Sequence, residues 1–377
     1  MRILRIADIP NNRTGGMSRT MHCTSDVLVA GGHQVDYLFG EDFDVVGPVQ
    51  LRRFTVPLKI PALIRDHAQR GRRYDVVEIH EPLAAPYGWQ RRRNRGLPPL
   101  VVFSYGLEER SHPALLNYRR LKGLPVSLKN RYSPLTVVWQ AKYAVRHADH
   151  VICSNSEDVR HLQAAGVSPE KLTQHHSGVE PEFLAAGNAE ANPNRAGILF
   201  LGSWLPRKGI LDLIPAVSAV MRDHPALRFT AAGCGVDAAQ VWSTFPVELR
   251  PRIQVVPAIT DNRSLIELYR NHAILALPSY FEGQPLVMIE AAALGLAIVT
   301  TGICGMADFI VHRENGLTMP VADTAALADH LKRLAGDPAL ASRLGEAARQ
   351  LAAHFSWTNA TQRILQAYEK ALVQRGK

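Results

Sequence analysis

Short apolar runs alternate with amphipathic stretches along the whole chain, a pattern that indicates buried strands separated by helices. In the first half the apolar runs predict strands at residues 2–9, 35–39, 74–80, 99–104 and 148–154. The pattern begins again in the second half, with strands predicted at residues 198–202, 227–232, 253–257, 274–278 and 297–301. Strands that alternate with helices in this way form parallel sheets, so the sequence predicts an α/β protein with two successive Rossmann-like domains.

The boundary between the two domains is predicted from a stretch that lacks periodicity. Residues 187–196 contain one glycine, one proline and three asparagines, which favour turns. We therefore predict a first domain over 1–186, a linker over 187–196 and a second domain over 197–356. A chain of 377 residues exceeds the size at which a single core is usual, which agrees with this division.

Composition indicates an ordinary globular protein, with 46% apolar and 20% charged residues. The four cysteines, Cys23, Cys153, Cys234 and Cys304, are far apart, which argues against a zinc site or a disulfide framework and favours a reducing cytoplasm. The longest uncharged run, 291–307, is shorter than a membrane span and is broken by glycines, and the first residues do not resemble a signal peptide. A cytoplasmic location is therefore expected.

The net charge of +9 is concentrated in the first half of the chain. Residues 1–180 contain 25 Lys and Arg against 17 Asp and Glu, whereas residues 181–377 contain 18 against 17. Residues 110–146 hold eight basic side chains and no acidic one, and apolar residues are interleaved with them: Tyr118, Leu121, Leu124, Val126, Leu128, Tyr132 and Trp139. Such a segment is either a solvated basic face or a surface for the anionic inner face of a membrane. Nucleic-acid binding is not expected, because no recognition motif accompanies the charge.

The turn around residue 283 is the strongest candidate for an anion site. Pro285 suits the first helical position and Gly295 the residue just past a helix end, so a helix is predicted from Leu286 to Leu294. The unpaired N–H groups and positive dipole at the start of a helix favour a phosphate. Glu282 precedes this turn and Glu290 lies eight residues later, a spacing that suits a ligand with hydroxyls at both ends and an anion between them, such as a sugar nucleotide. The alternative is two unrelated solvated carboxylates.

Further candidates lie after other predicted strands. Arg207 and Lys208 come just before a helix predicted over 209–222, where cations and amides together hold a diphosphate. In the first half, Gly15-Gly16 follows the first strand, and His80 and Tyr105 end two further strands. Polar residues at the carboxyl ends of parallel strands face the ligand crevice of such folds. Plain turns and structural side chains are the competing interpretation.

Two other motifs indicate different chemistry, but each is weak. Asp42 and Asp44 have the D-x-D spacing of a metal-dependent sugar transferase, within an acidic loop. Residues 233–238 fit G-x-G-x-x-A, the fingerprint of nicotinamide enzymes, yet no acidic residue for the ribose follows the next strand. Neither motif displaces the sugar-nucleotide interpretation, and no bound metal is expected.

Several segments together resemble a known family, the retaining GT-B nucleotide-sugar glycosyltransferases of glycosyltransferase family 4. Residues 282–290 match its E-x7-E signature, and 202–209 are similar to its G-R-L-x-x-x-K-G loop. Residues 148–157 are similar to its A-D-x-V-I-x-x-S segment, 177–180 to its N-G-V-D turn, and 302–316 to its G-G-x-x-E and N-G close. The motifs occur in the family's order over nearly the full chain.

The resemblance implies a GT-B fold, in which two Rossmann-like domains face a central cleft, with the acceptor bound by the first domain and the donor by the second. It also implies that residues 357–377 form a helix that crosses back to the first domain. Lys208 is expected to bind the donor diphosphate, Glu282 the transferred sugar near its anomeric carbon, and Glu290 the ribose. The other residues implied in donor binding are Gly16, Ser203, Arg207, Gly283, Pro285, Leu286 and Val287, while Gly15, His80 and Tyr105 are expected on the acceptor side.

The implied activity is transfer of a hexose from a nucleotide-diphosphate sugar to a hydroxyl acceptor, with retention and without a metal or other cofactor. We expect the acceptor to be a lipid-linked glycan, a glycolipid or a polysaccharide precursor. Three departures bear on this: the family's usual Arg is Ser203, its frequent His-Gly is Tyr105-Gly106, and a Glu is shortened to Asp308. The alternatives are a degenerate GT-B protein that serves as a scaffold and a sugar-nucleotide epimerase.

Overall fold

The computed structural model describes residues 1–189, 192 and 195–373. Its strands are β1 (Arg2–Ile6), β2 (Gln34–Leu38), β3 (Val76–His80), β4 (Leu100–Ser104), β5 (His150–Cys153), β6 (Leu172–Gln174), β7 (Ile198–Leu201), β8 (Phe229–Ala232), β9 (Ile253–Val256), β10 (Ile274–Leu277), β11 (Ala297–Thr301) and β12 (Leu317–Met319). The ten strands predicted from apolar runs are all present, and their observed bounds lie within three residues of the predicted ones.

Helices connect these strands throughout the chain. They are α1 (Gly16–Ala30), α2 (Val49–Gln69), α3 (Ala85–Arg93), α4 (Glu108–Leu121), α5 (Leu128–Tyr132), α6 (Val137–His147), α7 (Ser156–Ala164), α8 (Pro181–Asn188), α9 (Ile210–Asp223), α10 (Ala238–Ser243), α11 (Asn262–Arg270), α12 (Leu286–Ala293), α13 (Cys304–Ala307), α14 (Thr324–Gly336), α15 (Pro338–Ala352) and α16 (Trp357–Val373). The sequence pattern does not predict α2, which contains Pro57 and Pro61 in its interior, where proline normally breaks a helix.

The chain divides into two compact units. The first unit contains residues 1–116, 126–177 and the C-terminal helix α16, and the second contains Asn117–Pro125 and Gly178–Ser356. Each unit has one parallel six-stranded sheet, in the order β2-β1-β3-β4-β5-β6 in the first and β12-β11-β10-β7-β8-β9 in the second. The prediction of two Rossmann-like parallel sheets is therefore confirmed.

In the first unit, helices cover both faces of a sheet whose inner strands β3, β4 and β5 are almost fully buried. α16 packs on one face, where Ile364 and Tyr368 share a buried cluster with apolar side chains of β1, β3, β4 and β5. Beneath this helix lies a buried ion pair, in which Arg5 Nε donates to Glu78 at 2.8 Å. The Tyr368 hydroxyl donates to the other carboxylate oxygen of Glu78 at 2.7 Å. A buried charged pair requires such additional hydrogen bonds, so α16 completes the polar centre of this unit.

The unit boundary differs from the predicted linker. The main segment of the second unit begins at Gly178, and residues 187 and 188 belong to α8. Gly187 lies against the carbonyl of Ala293, so that an added Cβ would come within 1.9 Å of that oxygen. The glycine that favoured a linker in the sequence is thus a close packing contact inside the second unit. Residues 190, 191, 193 and 194 of the predicted linker lie outside the described residues.

Candidate functional site

Three loops of the second unit meet at the carboxyl ends of β7, β10 and β11. The loop after β7 ends at Gly209, which adopts a φ of +77°, and a Cβ there would lie 2.0 Å from the carbonyl oxygen of Pro278. The backbone N–H of Tyr280 donates to the carbonyl of Arg207 at 3.2 Å. Only glycine permits both this backbone conformation and this approach, so Gly209 fixes the first loop against the second.

The third loop reaches the same turn through a second glycine. A Cβ at Gly305 would lie 1.8 Å from the carbonyl oxygen of Gly283. The Gly305 N–H also points to the carbonyl of Glu282, at 3.5 Å. The turn from Glu282 to Pro285 is therefore held between the loops that follow β7 and β11.

An ion pair lies at the centre of this arrangement. Lys208 Nζ is 2.5 Å from Glu282 Oε1, and the two side chains are only 13% and 12% exposed. Arg207 Nη1 is 3.7 Å from the same oxygen, and its side chain is 48% exposed. Lys208 is thus the close, shielded cation of the site and Arg207 a more distant, solvated one. Ser203 lies in the same loop, where its carbonyl accepts the Leu205 N–H at 2.8 Å.

Helix α12 supplies the other half of the site. It begins at Leu286, and Pro285 is the residue that caps it, one position earlier than predicted. Gly295 follows the helix with a φ of +71°, as its position in the sequence indicated. The amides of Leu286 and Val287, at the start of α12, have no partner one turn back within the helix, which is the arrangement that binds anions.

Glu290 is buried within α12, at 3% exposure. The Tyr269 hydroxyl, from α11, donates to Glu290 Oε2 at 2.7 Å, so the carboxylate is held by a neighbouring helix. Glu282 lies outside the helix, in the preceding turn. The two carboxylates therefore do not share one continuous helical face, and their spacing is set by the turn as well as by α12.

The segment Asn117–Pro125 packs beside the site within the second unit. The ring of Tyr118 stacks on that of Tyr280, with centroids 4.5 Å apart and planes inclined by 16°. Lys122 forms an ion pair with Asp212 and donates to the carbonyl of Ala322 at 3.2 Å. The prediction that Tyr118 contributes to an exposed basic and apolar surface is wrong, because this side chain is buried.

In the first unit, two of the predicted acceptor-side residues lie next to each other. The rings of His80 and Tyr105, at the ends of neighbouring strands β3 and β4, have centroids 5.4 Å apart. Burial lowers the pKa of His80 to about 4 and raises the pKa of Tyr105, so both side chains are neutral near pH 7. Gly15 caps α1 and Gly16 begins it, and a Cβ added at Gly16 would meet nothing within 4 Å. The backbone there is open to approach.

Glu81 is a candidate that the sequence analysis missed. Its carboxyl group is buried, and Oε1 accepts the backbone N–H of Glu108 at 3.0 Å. No hydrogen bond to Oε2 is present in the described part of the chain. Burial raises the pKa of Glu81 to about 8. Its position directly after His80 at a strand end is the signal that would have identified it.

Two family models match most of the chain. Residues 15–178 match the Glycosyl transferase 4-like domain, and residues 195–337 match Glycosyl transferases group 1. These ranges hold the glycine turn after β1 and both residues of the Lys208–Glu282 pair. The chain belongs to glycosyltransferase family 4. Its two Rossmann-like units are those of the GT-B fold.

Named relatives of this glycosyltransferase differ in what they act on. A D-inositol 3-phosphate glycosyltransferase from Nocardia farcinica is 27% identical, over 86% of this chain and 72% of its own. Sucrose-phosphate synthase from Thermosynechococcus elongatus has the same fold, with a TM-score of 0.76, 22% identity and 99% of both chains covered. The Anabaena protein HepE, solved in complex with UDP-glucose, has a TM-score of 0.67 and 16% identity, covering 97% of this chain and 98% of its own.

Metal binding and membrane crossing are two further questions that the described residues of the glycosyltransferase address. Among the residues that the structure describes, no group of three or more His, Cys, Asp and Glu side chains is arranged to hold a metal ion. Within the same residues, no helix combines the length and the apolar character needed to cross a membrane. Asp42 of the D-x-D motif accepts the backbone N–H of Phe39 at 2.7 Å, which gives this side chain a local structural role.

Proposed function

We propose that this glycosyltransferase moves a hexose from a nucleotide-diphosphate sugar to a hydroxyl acceptor, with retention of anomeric configuration and without a bound metal ion. The single observation that carries the proposal is the Lys208–Glu282 pair at the turn that begins α12. A cation, a carboxylate and the start of a helix lie together there. The cation suits the diphosphate, the carboxylate suits the sugar hydroxyls, and the amides at the helix start suit the charge that develops on the leaving group.

The donor is proposed to bind along this turn. Its diphosphate would replace Glu282 as the partner of Lys208, with further contacts from Arg207 and from the first amides of α12. Its ribose hydroxyls would donate to Glu290, which Tyr269 already holds in place. A UDP-sugar is the first donor to test, since HepE is solved with UDP-glucose.

In the proposed reaction, the bond between the anomeric carbon and the diphosphate oxygen breaks while the acceptor oxygen bonds to the same face of that carbon. The acceptor proton passes to the departing phosphate oxygen. Lys208 and the amides of α12 stabilise the charge that develops on the diphosphate, because they are held in place before the reaction begins. Glu282 orients the transferred hexose.

The acceptor is proposed to bind to the first unit, near Gly15, His80 and Tyr105. Gly16 is proposed to approach the donor phosphates, as its open backbone permits. A neutral His80 and a neutral Tyr105 suit recognition of sugar hydroxyls. We propose a lipid-linked glycan, a glycolipid or a polysaccharide precursor as the acceptor, and a cytoplasmic enzyme in peripheral contact with the inner face of the membrane. The basicity of residues 110–146 supports this location.

Thermal-shift measurements with UDP-, GDP- and ADP-sugars, with and without EDTA, test the donor site. We expect one nucleotide class to raise the melting temperature, the rise to persist in EDTA, and the Glu290→Ala variant to lose it. Glu314→Ala is a matched control, since this glutamate is exposed and belongs to the turn before β12, not to α12. Abolition of the shift by EDTA would contradict metal independence, and an equal loss in the control would contradict the role of Glu290.

Product analysis separates this function from its two alternatives. NMR of the product formed with a polyprenyl-phosphate-linked sugar should show the donor's anomeric configuration, and inversion would contradict retention. A sugar-nucleotide epimerase would convert its donor without any acceptor. A scaffold protein would bind the donor and would catalyse neither transfer to an acceptor nor epimerisation of the donor.

A further inference from the structure

Two short segments of the first unit carry most of its exposed large apolar side chains in the described structure, four within residues 46–58 and five within residues 126–139. Of the 17 large apolar side chains that are exposed in the described part of the chain, five lie within residues 126–139. They are Val126, Leu128, Tyr132, Leu135 and Trp139, and the last four are each more than half exposed. We call residues 126–146, which include α5, the turn Ser133–Leu135 and α6, the 126–146 surface. Apolar side chains concentrated to this degree mark a binding surface.

Cationic side chains extend this surface along α6. Trp139, Lys142 and Arg146 follow one another at helical spacings of three and four, and all three are exposed, so they share the outer face of α6. Its inner face, including Ala141 and Ala144, is buried, and α6 packs against α3. The outer face of α6 therefore carries an aromatic ring as well as cations, whereas the outer face of an ordinary amphipathic helix is polar only.

The cations available on this face are fewer than the sequence suggests. Lys142 is 2.8 Å from Glu109, which offsets its charge. For Arg131 and Arg146, no ion pair is present in the described structure. A groove of about 410 Å³ runs beside α6, and Arg146 and Lys171 are among the side chains that line it. Positive charge thus borders the apolar side chains, and Glu109, which also lines the groove, offsets only part of it.

We propose that the 126–146 surface docks on an anionic lipid bilayer. Trp and Tyr side chains favour the headgroup level of a membrane, Leu side chains insert among the acyl chains, and Arg side chains attract anionic headgroups. A second copy of this chain would place like charges against one another, which disfavours self-association through this face. The inference deepens the proposed function, and rests on it only for the expectation that the acceptor is lipid-linked.

Flotation of the full chain with liposomes tests this surface directly. We expect recovery with vesicles of phosphatidylcholine and phosphatidylglycerol, little recovery with phosphatidylcholine alone, and weaker recovery as salt is raised. The Leu135→Ser/Trp139→Ser variant should lose at least tenfold in partition coefficient, and Arg131→Gln/Arg146→Gln should lose the preference for anionic vesicles. The Val46→Ser/Val247→Ser variant is the matched control, since both valines are exposed outside this surface. Melting temperatures establish that each variant is folded.

The outcomes that overturn the proposal are distinct from failure of the enzyme assignment. Equal recovery on neutral vesicles, or unchanged binding of the Leu135→Ser/Trp139→Ser variant, overturns it. Concentration-dependent dimerisation that this variant abolishes would identify a second copy as the occupant and also overturn it. A donor-induced thermal shift without vesicle binding refutes the membrane surface alone, whereas vesicle binding without any donor-induced shift refutes the proposed function alone.

Discussion

The Lys208→Met substitution tests the ion pair at the centre of the candidate site. Methionine keeps most of the length of the lysine side chain and removes its charge. Lys208 Nζ lies 2.5 Å from Glu282, and both side chains are largely shielded from water. A hydrogen bond to a charged group in such a place contributes about 1.5 to 3 kcal/mol, which corresponds to a donor dissociation constant weaker by roughly 10- to 150-fold.

The neighbouring cation provides a matched control. Arg207 is 3.7 Å from the same oxygen and about half exposed, so solvent screens its charge. Contacts of this kind contribute about 0 to 1 kcal/mol. The Arg207→Met variant should therefore weaken donor binding by about fivefold at most.

Isothermal titration calorimetry measures both effects, with the nucleotide sugar that gives the wild-type protein its largest thermal shift. The Lys208→Met variant should also melt at a lower temperature, because among the described residues Arg207, at 3.7 Å, is then the cationic partner left to Glu282. An unchanged dissociation constant in folded Lys208→Met would refute the assignment of Lys208 to the diphosphate. An equal loss in both variants would show that general positive charge, and not the close pair, determines donor binding.

Three further predictions concern other parts of the two units. Tyr269→Phe removes the hydroxyl that donates to Glu290 at 2.7 Å. Calorimetry should show a loss of about 1.5 to 3 kcal/mol in the free energy of unfolding, together with weaker donor binding. Equal stability of the variant and the wild type would contradict a structural role for this hydrogen bond. Gly305→Ala would place a Cβ 1.8 Å from the Gly283 carbonyl, so it should displace the turn and abolish the donor-induced thermal shift, and an unaltered shift would show that the loops can separate at no cost. Because burial raises the pKa of Glu81 to about 8, the folded state keeps this carboxyl protonated while the unfolded state ionises from about pH 4.5 upward, and stability is lost as the pH rises between these values. Between pH 5 and pH 8, the free energy of unfolding of the wild-type protein, measured with urea, should therefore fall by up to about 4 kcal/mol more than that of Glu81→Gln. Parallel pH profiles of the two proteins would contradict the raised pKa.

The local sequence pattern predicts some elements of this fold and misses others. The strands were predicted because parallel strands are buried on both faces and so appear as continuous apolar runs, as residues 297–301 do. The helix after Glu282 was predicted because Pro285 and Gly295 have conformational preferences that act within a few residues. α2 was not predicted, since tertiary packing of Val56 and Ile60 holds a helix that its prolines disfavour.

What the sequence by itself determined about this protein is its family, its doubled α/β pattern and the residue types at the candidate site, because these follow from local periodicity and from motifs in a fixed order. Only the tertiary structure decided which of those residues meet. Lys208 pairs with Glu282 because Gly209 and Gly305 let three loop backbones approach to distances that any side chain would prevent. The same structure buried Tyr118 beneath Tyr280 and left Trp139 exposed, although both lie in one basic stretch of the sequence. Burial depends on neighbours that are distant along the chain, and no local pattern carries that information.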